Sequence, residues 1–206
     1  MIRYHHFLRQ SPAAFPLAFL AGLTVLLLAP PSRAQEFTPQ LDPVQTKIEF
    51  SLGSTVHTVH GTFALKSCDI RFDPTNGKIN GTIVVDATSG ESGDRPRDAR
   101  MHREILESAR FPEIVFMPAQ LAGVVAPEGT SKVEVSGQFR LHGQEHTVTF
   151  PMEIKAQGAN LQISSHIEIP YLQWRLKNPS NFLLRVSDRV AIDIRATGRL
   201  QPAENH

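Results

Sequence analysis

The chain has 206 residues, with 21 Lys and Arg against 20 Asp and Glu, a formal net charge of +1. That length suits one domain, and the near balance of charge removes any electrostatic reason to expect a nucleic-acid partner. One cysteine, Cys68, excludes an internal disulfide, so the fold has to stand on its hydrophobic core, for which a 41% apolar share is ordinary.

The first segment reads as an export signal. Arg3 and Arg9 give a positive start, Phe15 to Ala29 is an apolar run, Pro30-Pro31 breaks it, and Ser32-Arg33-Ala34 puts small residues where a signal peptidase reads. The expectation is a signal peptide over 1–34, cleavage after Ala34, and a single domain over 35–206 that is periplasmic or secreted. The apolar run is short of the roughly 20 residues of a spanning helix, so no stable membrane span is expected after cleavage. The rival reading is an uncleaved anchor. No Cys follows the run, which argues against a lipid-modified N-terminus.

Beyond a flexible lead-in over Gln35–Gln40, the pattern is that of strands and turns. Ile48, Phe50 and Leu52 alternate with polar residues, the period of a half-buried strand. Val56–Leu65 continues with Val59, Phe63 and Leu65 on one side and Gly61 at a bend or bulge. Ile70 and Phe72 form a short strand. Asp73-Pro74-Thr75-Asn76-Gly77 is turn chemistry and is answered by Ile79, Ile83 and Val85, the clearest hairpin of the first half. Further on, Phe116 belongs to a strand over Glu113–Leu121, Phe139 to one ending at Leu141, Phe150 to one starting after the His142-Gly143 turn, and Ile167 to one following Gln157-Gly158-Ala159-Asn160. Pro170–Leu184 is irregular, and Val190–Ala196 makes the last strand.

One stretch departs from this period. In Asp94–Pro118, Met101, Ile105 and Ala109 recur four apart beside Leu106, with Arg97, Arg100, Arg103, Glu104 and Glu107 elsewhere. This predicts a short helix over about 97–108, capped by Asp94, with Pro96 in its first turn and Pro112 stopping it. Such a helix covers an open end or seam, or is a plain connection. About nine strand candidates in hairpin-like order, with no βαβ spacing, favour an all-β fold: a single closed antiparallel barrel of about eight strands. Periodicity leaves open whether its interior is a packed core or a space for one small ligand.

Catalytic signatures are missing: there is no G-x-S-x-G, no G-x-G-x-x-G opening a helix after a strand, and no H-E-x-x-H. His57 and His60 lie three apart on a strand and face opposite sides, His142 and His146 flank a turn, and His102 sits on an exposed-looking helix, so no metal site is expected. Cys68 reads as a buried, inert thiol. The helix carboxylates read as solvated partners of local arginines. The arginine cluster is either the other half of that lattice or a holder of an anionic headgroup. Tyr171 and Trp174 in the long loop either line a barrel mouth or close the barrel end.

The ordered motifs carry a resemblance. They are L-D-P-x-x-T-x-I-x-F, then V-H-T-V-H-G-T-F, F-D-x-x-N-G-K-I, R-D-x-x-M-H, F-P-E-I-V-F, V-S-G-Q-F-R-L-H-G-Q-E-H-T-V and V-A-I-D-I-x-A-T-G. Together they span Leu41 to Leu200 and resemble the YceI family of exported polyisoprenoid-binding proteins. The resemblance implies an extended, lipocalin-like barrel whose apolar cavity holds an isoprenoid chain such as a quinone tail, without catalysis or cofactor. The Tyr171–Leu184 segment departs from the family's short version. On this reading the wall residues are Phe50, Phe63, Ile83, Val85, Phe116, Phe139, Phe150 and Ile167, with Trp174 near the mouth. Arg97, Tyr171 and Arg175 are the headgroup candidates. The competing readings are a packed, ligandless barrel serving protein interaction or a stress response, and an enzyme on a barrel scaffold.

Overall fold

A computed structural model describes residues 35–180 and 184–203; the signal-peptide reading over 1–34 falls outside them. Nine strands follow in chain order: β1 (Phe37–Leu41), β2 (Lys47–Leu52), β3 (Val59–Phe72), β4 (Ile79–Glu91), β5 (Glu113–Ala122), β6 (Gly129–Leu141), β7 (Gln144–Gln157), β8 (Asn160–Ile169) and β9 (Val190–Pro202). All pairings are antiparallel, and the β3–β4 ladder together with β2–β3 and β2–β9 closes the sheet on itself. β1 and β2 fill successive lengths of one position between β9 and β3, so nine strands make an eight-position barrel. The described residues thus form a closed barrel with its own core, as the periodicity predicts.

The strands form where alternation predicts them, with three differences. The lead-in is not loose: Phe37–Leu41 pairs with Gly198–Pro202 of β9 as strand β1. The stretch after Gly53 does not continue as strand. It turns, leaving Val56 73% exposed, and β3 begins at Val59. Ile70 and Phe72 are not a separate strand, because β3 runs on to them past register shifts at Thr62/Ala64 and Leu65/Ser67. The second shift turns two successive residues, Lys66 and Ser67, outward and returns Cys68 to the inner face. Such a bulge breaks strict alternation, so a period-two reading splits one strand into two.

The turns follow their residues. Asp73 accepts from the Thr75 amide and hydroxyl and from the Asn76 side chain, and Gly77 takes φ 69°. His142 and Gly143, at φ 51° and 73°, make the two-residue β6–β7 hairpin turn.

The helix is displaced from its predicted bounds. α1 spans Arg95–Arg100 and continues as one π-helical turn over Met101–Ile105, with the Leu106 N–H bonded to the Met101 carbonyl. Asp94 caps it, accepting from the Arg97 N–H at 2.9 Å. Pro112 is not what stops it: Glu107 takes φ 46° and ends the helical path several residues earlier. The wide turn rotates later residues off a 3.6-residue face. Met101, Ile105 and Leu106 therefore face the barrel interior, while Ala109, predicted to point inward with them, is exposed.

Candidate functional site: an apolar cavity with one polar end

The inner face of the barrel is not filled. A cavity of about 770 Å³ is lined by side chains from every strand and from the helix. Cross-strand register builds its wall in rows. Cys68 stands opposite Ile83, Ile83 opposite Phe116, and Phe116 opposite Phe139. A second row runs Gly61, Phe50, Ile192 and Ile167. Phe116 meets Phe150 at 5.1 Å between ring centres, and Phe50 meets Phe63 at 5.4 Å, the spacing of tilted aromatic pairs. Gly61 is needed here for space: a Cβ would lie 2.3 Å from both the Phe50 ring and the Glu91 carbonyl oxygen.

All eight predicted wall residues, Phe50, Phe63, Ile83, Val85, Phe116, Phe139, Phe150 and Ile167, line this cavity. Trp174 does not. It stacks on His146, ring centres 4.0 Å apart and planes 2° from parallel, and lies 5.7 Å from Phe139. β7 and β8 pair only from Met152–Ser165 to Gln157–Asn160, and Pro151, with no N–H to donate, stands where that ladder stops. Trp174 packs against Phe139 of β6 and His146 of β7, beside the cavity and not in its lining. Burial of His146 under this ring lowers its pKa, because charging it there would cost solvation.

The headgroup candidates separate. Arg97 lines the cavity, with Nε donating to Ser92 Oγ at 2.7 Å and Nη2 to the Ser92 carbonyl at 3.0 Å. Tyr171 lines it too, but its hydroxyl donates to the Ser187 carbonyl at 2.6 Å, so it braces the loop and offers its ring, not its oxygen. Arg175 is exposed, takes φ 66° and does not reach the cavity. Arg100, from the helix arginine cluster already weighed as a headgroup holder, completes the polar end with Ser92 and His57, which were missed. Arg97 and Arg100 are three apart, one helical turn, a spacing that puts both on one face. That spacing was legible, but the arginines read equally well as part of the exposed charge lattice.

Glu104 is not only a solvated partner of the local arginines expected of it; it has a distant partner as well. Glu104 accepts from Arg103 at 2.8 Å and Lys177 at 2.9 Å, with Arg100 at 3.5 Å, and these partners pull its pKa down to about 2. The Lys177 contact ties the helix to the loop after β8. His102 is likewise not an exposed helix residue. Its Nδ1 lies 2.9 Å from Ser108 Oγ and its Nε2 2.8 Å from the Gly90 carbonyl, pinning the π turn to β4. Burial pushes the Cys68 thiol up to about 11, with nearby Asp69 adding to it. Among the described residues no three His, Cys, Asp or Glu side chains come together to hold a metal ion, and no helix is long and apolar enough to cross a membrane.

A closed, up-and-down antiparallel barrel around an apolar cavity, with its charged lining gathered at one end, is a lipocalin-like barrel. Within that class the family is definite: the YceI-like domain model matches residues 40–198, and the chain belongs to that family. A UPF0312 protein of Vibrio parahaemolyticus is 27% identical over 145 residues, covering 68% of this chain and 71% of its own. Among solved structures, Burkholderia cenocepacia BcnA superposes with a TM-score of 0.65 at 18% identity, over 77% of this chain and 99% of its own. A polyisoprenoid binding domain from Saccharophagus degradans, implicated in plant cell wall breakdown, gives 0.56 at 15% identity, over 81% and 98%. At these identities the structural matches speak for the fold.

Proposed function

We propose that the protein is an exported, non-catalytic carrier that holds a long apolar ligand, a polyisoprenoid or quinone-like lipid, inside its barrel. The observation that carries this reading is the cavity itself: about 770 Å³, walled mostly by aliphatic and phenylalanine side chains, with its two charged lining residues, Arg97 and Arg100, together at one end beside His57 and Ser92. A prenyl chain offers no hydrogen bonds, so burial of apolar area supplies the affinity, at roughly 25 cal/mol per Å². The polar head then lies beside Arg97 and Arg100. The polyisoprenoid binding of the Saccharophagus domain, on the same fold, supports the ligand class.

The lining supports binding over catalysis. The Cys68 thiol is held far from its thiolate form, and the Tyr171 hydroxyl is spent on a backbone carbonyl, so neither is set up as a nucleophile. Export rests on the charged start, apolar run and Ser32-Arg33-Ala34 site, and N-terminal sequencing of the exported form should find Gln35. The direct test is organic extraction of the purified protein followed by mass spectrometry. Recovery of a prenyl lipid is the expected result. If none is recovered and added polyprenyl compounds of every length fail to bind, the barrel is an interaction module instead.

A further inference from the structure

Charge is unevenly spread over the barrel. The segments that build the helix end, residues 53–58, 92–112, 170–180 and 184–189, carry nine Lys and Arg against five Asp and Glu. All other described residues carry nine against fourteen. A chain whose formal charge is close to zero is therefore cationic at the end that holds the polar lining and anionic elsewhere. The turns at the opposite end, 73–78, 123–128 and 158–159, contribute only Asp73, Lys78 and Glu128.

The cations at the helix end are presented outward. Arg103 and Arg110 have side chains 69% and 75% exposed, and one carboxylate, Glu104, is shared by Arg100, Arg103 and Lys177. Arg95, Arg175 and Arg185 are exposed and form no ion pair among the described residues. Arg175 holds a left-handed φ of 66° at the tip of a loop anchored by Trp174, a conformation that costs an arginine more than a glycine. Beside these charges Val56 stands 73% exposed next to His57, which is itself exposed and lines the cavity.

We propose that this end of the barrel docks on the surface of an anionic phospholipid bilayer, with the arginines against the headgroups and Val56 at the acyl boundary. This rests on the reading of the cavity as a lipid site. A prenyl lipid has almost no solubility in water, so its carrier must meet it at a membrane. The cavity's polar end and the cationic rim coincide, so a docked barrel faces the bilayer with the end where the headgroup sits. Interfacial binding of this kind combines a small inserted apolar area with attraction to anionic lipid, which contributes roughly fivefold in partition per Lys or Arg near the surface.

The test is co-sedimentation of the 35–206 segment with vesicles of phosphatidylcholine alone, or of phosphatidylcholine mixed with phosphatidylglycerol. Binding to the anionic vesicles only, released by high salt, is expected. The variant Arg95→Glu/Arg175→Glu/Arg185→Glu should lower that partition by roughly a hundredfold or more. The matched variant Lys132→Glu/Lys155→Glu/Arg199→Glu, reversing exposed charges on β6, β7 and β9, should leave it within a few fold. Equal loss in both variants, equal binding to neutral vesicles, or binding only to an acidic protein would overturn the proposal. Prenyl-probe binding is measured on the same samples. None of the six substituted residues lines the cavity, so a protein that holds the probe but ignores anionic vesicles refutes the docking and leaves the cavity reading standing.

Discussion

Replacing Phe150 by Ala should lengthen the prenyl chain the barrel prefers. Phe150 is 9% exposed, lines the cavity between Val135 and Met152, and packs its ring 5.1 Å from that of Phe116. At about the 30 Å³ that a water-sized group occupies in a liquid, the cavity of about 770 Å³ takes roughly 25 carbons, near five prenyl units. Each unit buried contributes about 4 kcal/mol at most, taking about 0.8 kcal/mol per carbon. Affinity should therefore climb steeply with length and level off near that size. The phenyl ring has more carbons than one prenyl unit, so its removal should move the plateau by one unit. The variant should also lower the stability of the empty protein by about 3 kcal/mol, the low end for Phe to Ala, because one side of the ring already faces open space. The assay is a titration with a prenyl-length series, followed by tryptophan fluorescence or calorimetry, with thermal unfolding alongside. A plateau that stays in place while the variant remains folded, or affinity indifferent to length, would refute the assignment of the wall.

The helix gives a paired comparison: Ile105→Asp puts a charge on the cavity side and should lower the melting temperature by several degrees, whereas Ala109→Asp, on the exposed side, should stay within about 0.5 kcal/mol of the parent. Glu104→Gln should loosen the tie between the helix and the post-β8 loop. Because the carboxyl is depressed from its ordinary 4.5 to about 2, its contribution is complete above the ordinary value and lost as pH falls through the lower one. Melting curves of parent and variant should accordingly differ at neutral pH and converge near pH 2. Cys68, raised to about 11 and lodged in the wall, should resist alkylation at neutral pH in the native protein and react on unfolding; mass spectrometry after an iodoacetamide pulse checks this.

The barrel was legible because one face of almost every strand is buried and the other is not. Period-two alternation reports that directly, and it placed Phe116, Phe139 and Phe150 on one surface before any register was known. Alternation fails where the backbone does something other than pleat. The bulge at Leu65–Ser67 cut β3 in two, and the short β1, whose apolar members are only Phe37, Pro39 and Leu41, offers too little pattern to distinguish from a tail. The helix bounds failed for the same kind of reason. A π turn changes the residues per turn from within, so a stripe read at 3.6 carried Ala109 inward when the chain had already rotated past it.

The polar end was less legible than the wall because it is assembled from side chains whose roles are decided by contacts between distant segments. Arg97, Tyr171 and Arg175 looked equivalent as possible partners of a headgroup. The fold distributes them among three tasks: Arg97 lines the cavity and is steadied by Ser92, Tyr171 holds the loop through Ser187, and Arg175 is turned to the outside. That division has a physical logic. A guanidinium beside an apolar cavity must keep hydrogen-bond partners when no ligand is present, and Ser92 supplies two from outside the apolar wall. Replacing Ser92 by Ala removes the hydroxyl and leaves the carbonyl, so Arg97 keeps one anchor and gains freedom. Headgroup preference should then broaden while chain-length preference stays where the phenylalanine rows set it. If Ser92→Ala instead shifted length preference and left headgroup selection intact, Arg97 would not mark the head end of the cavity.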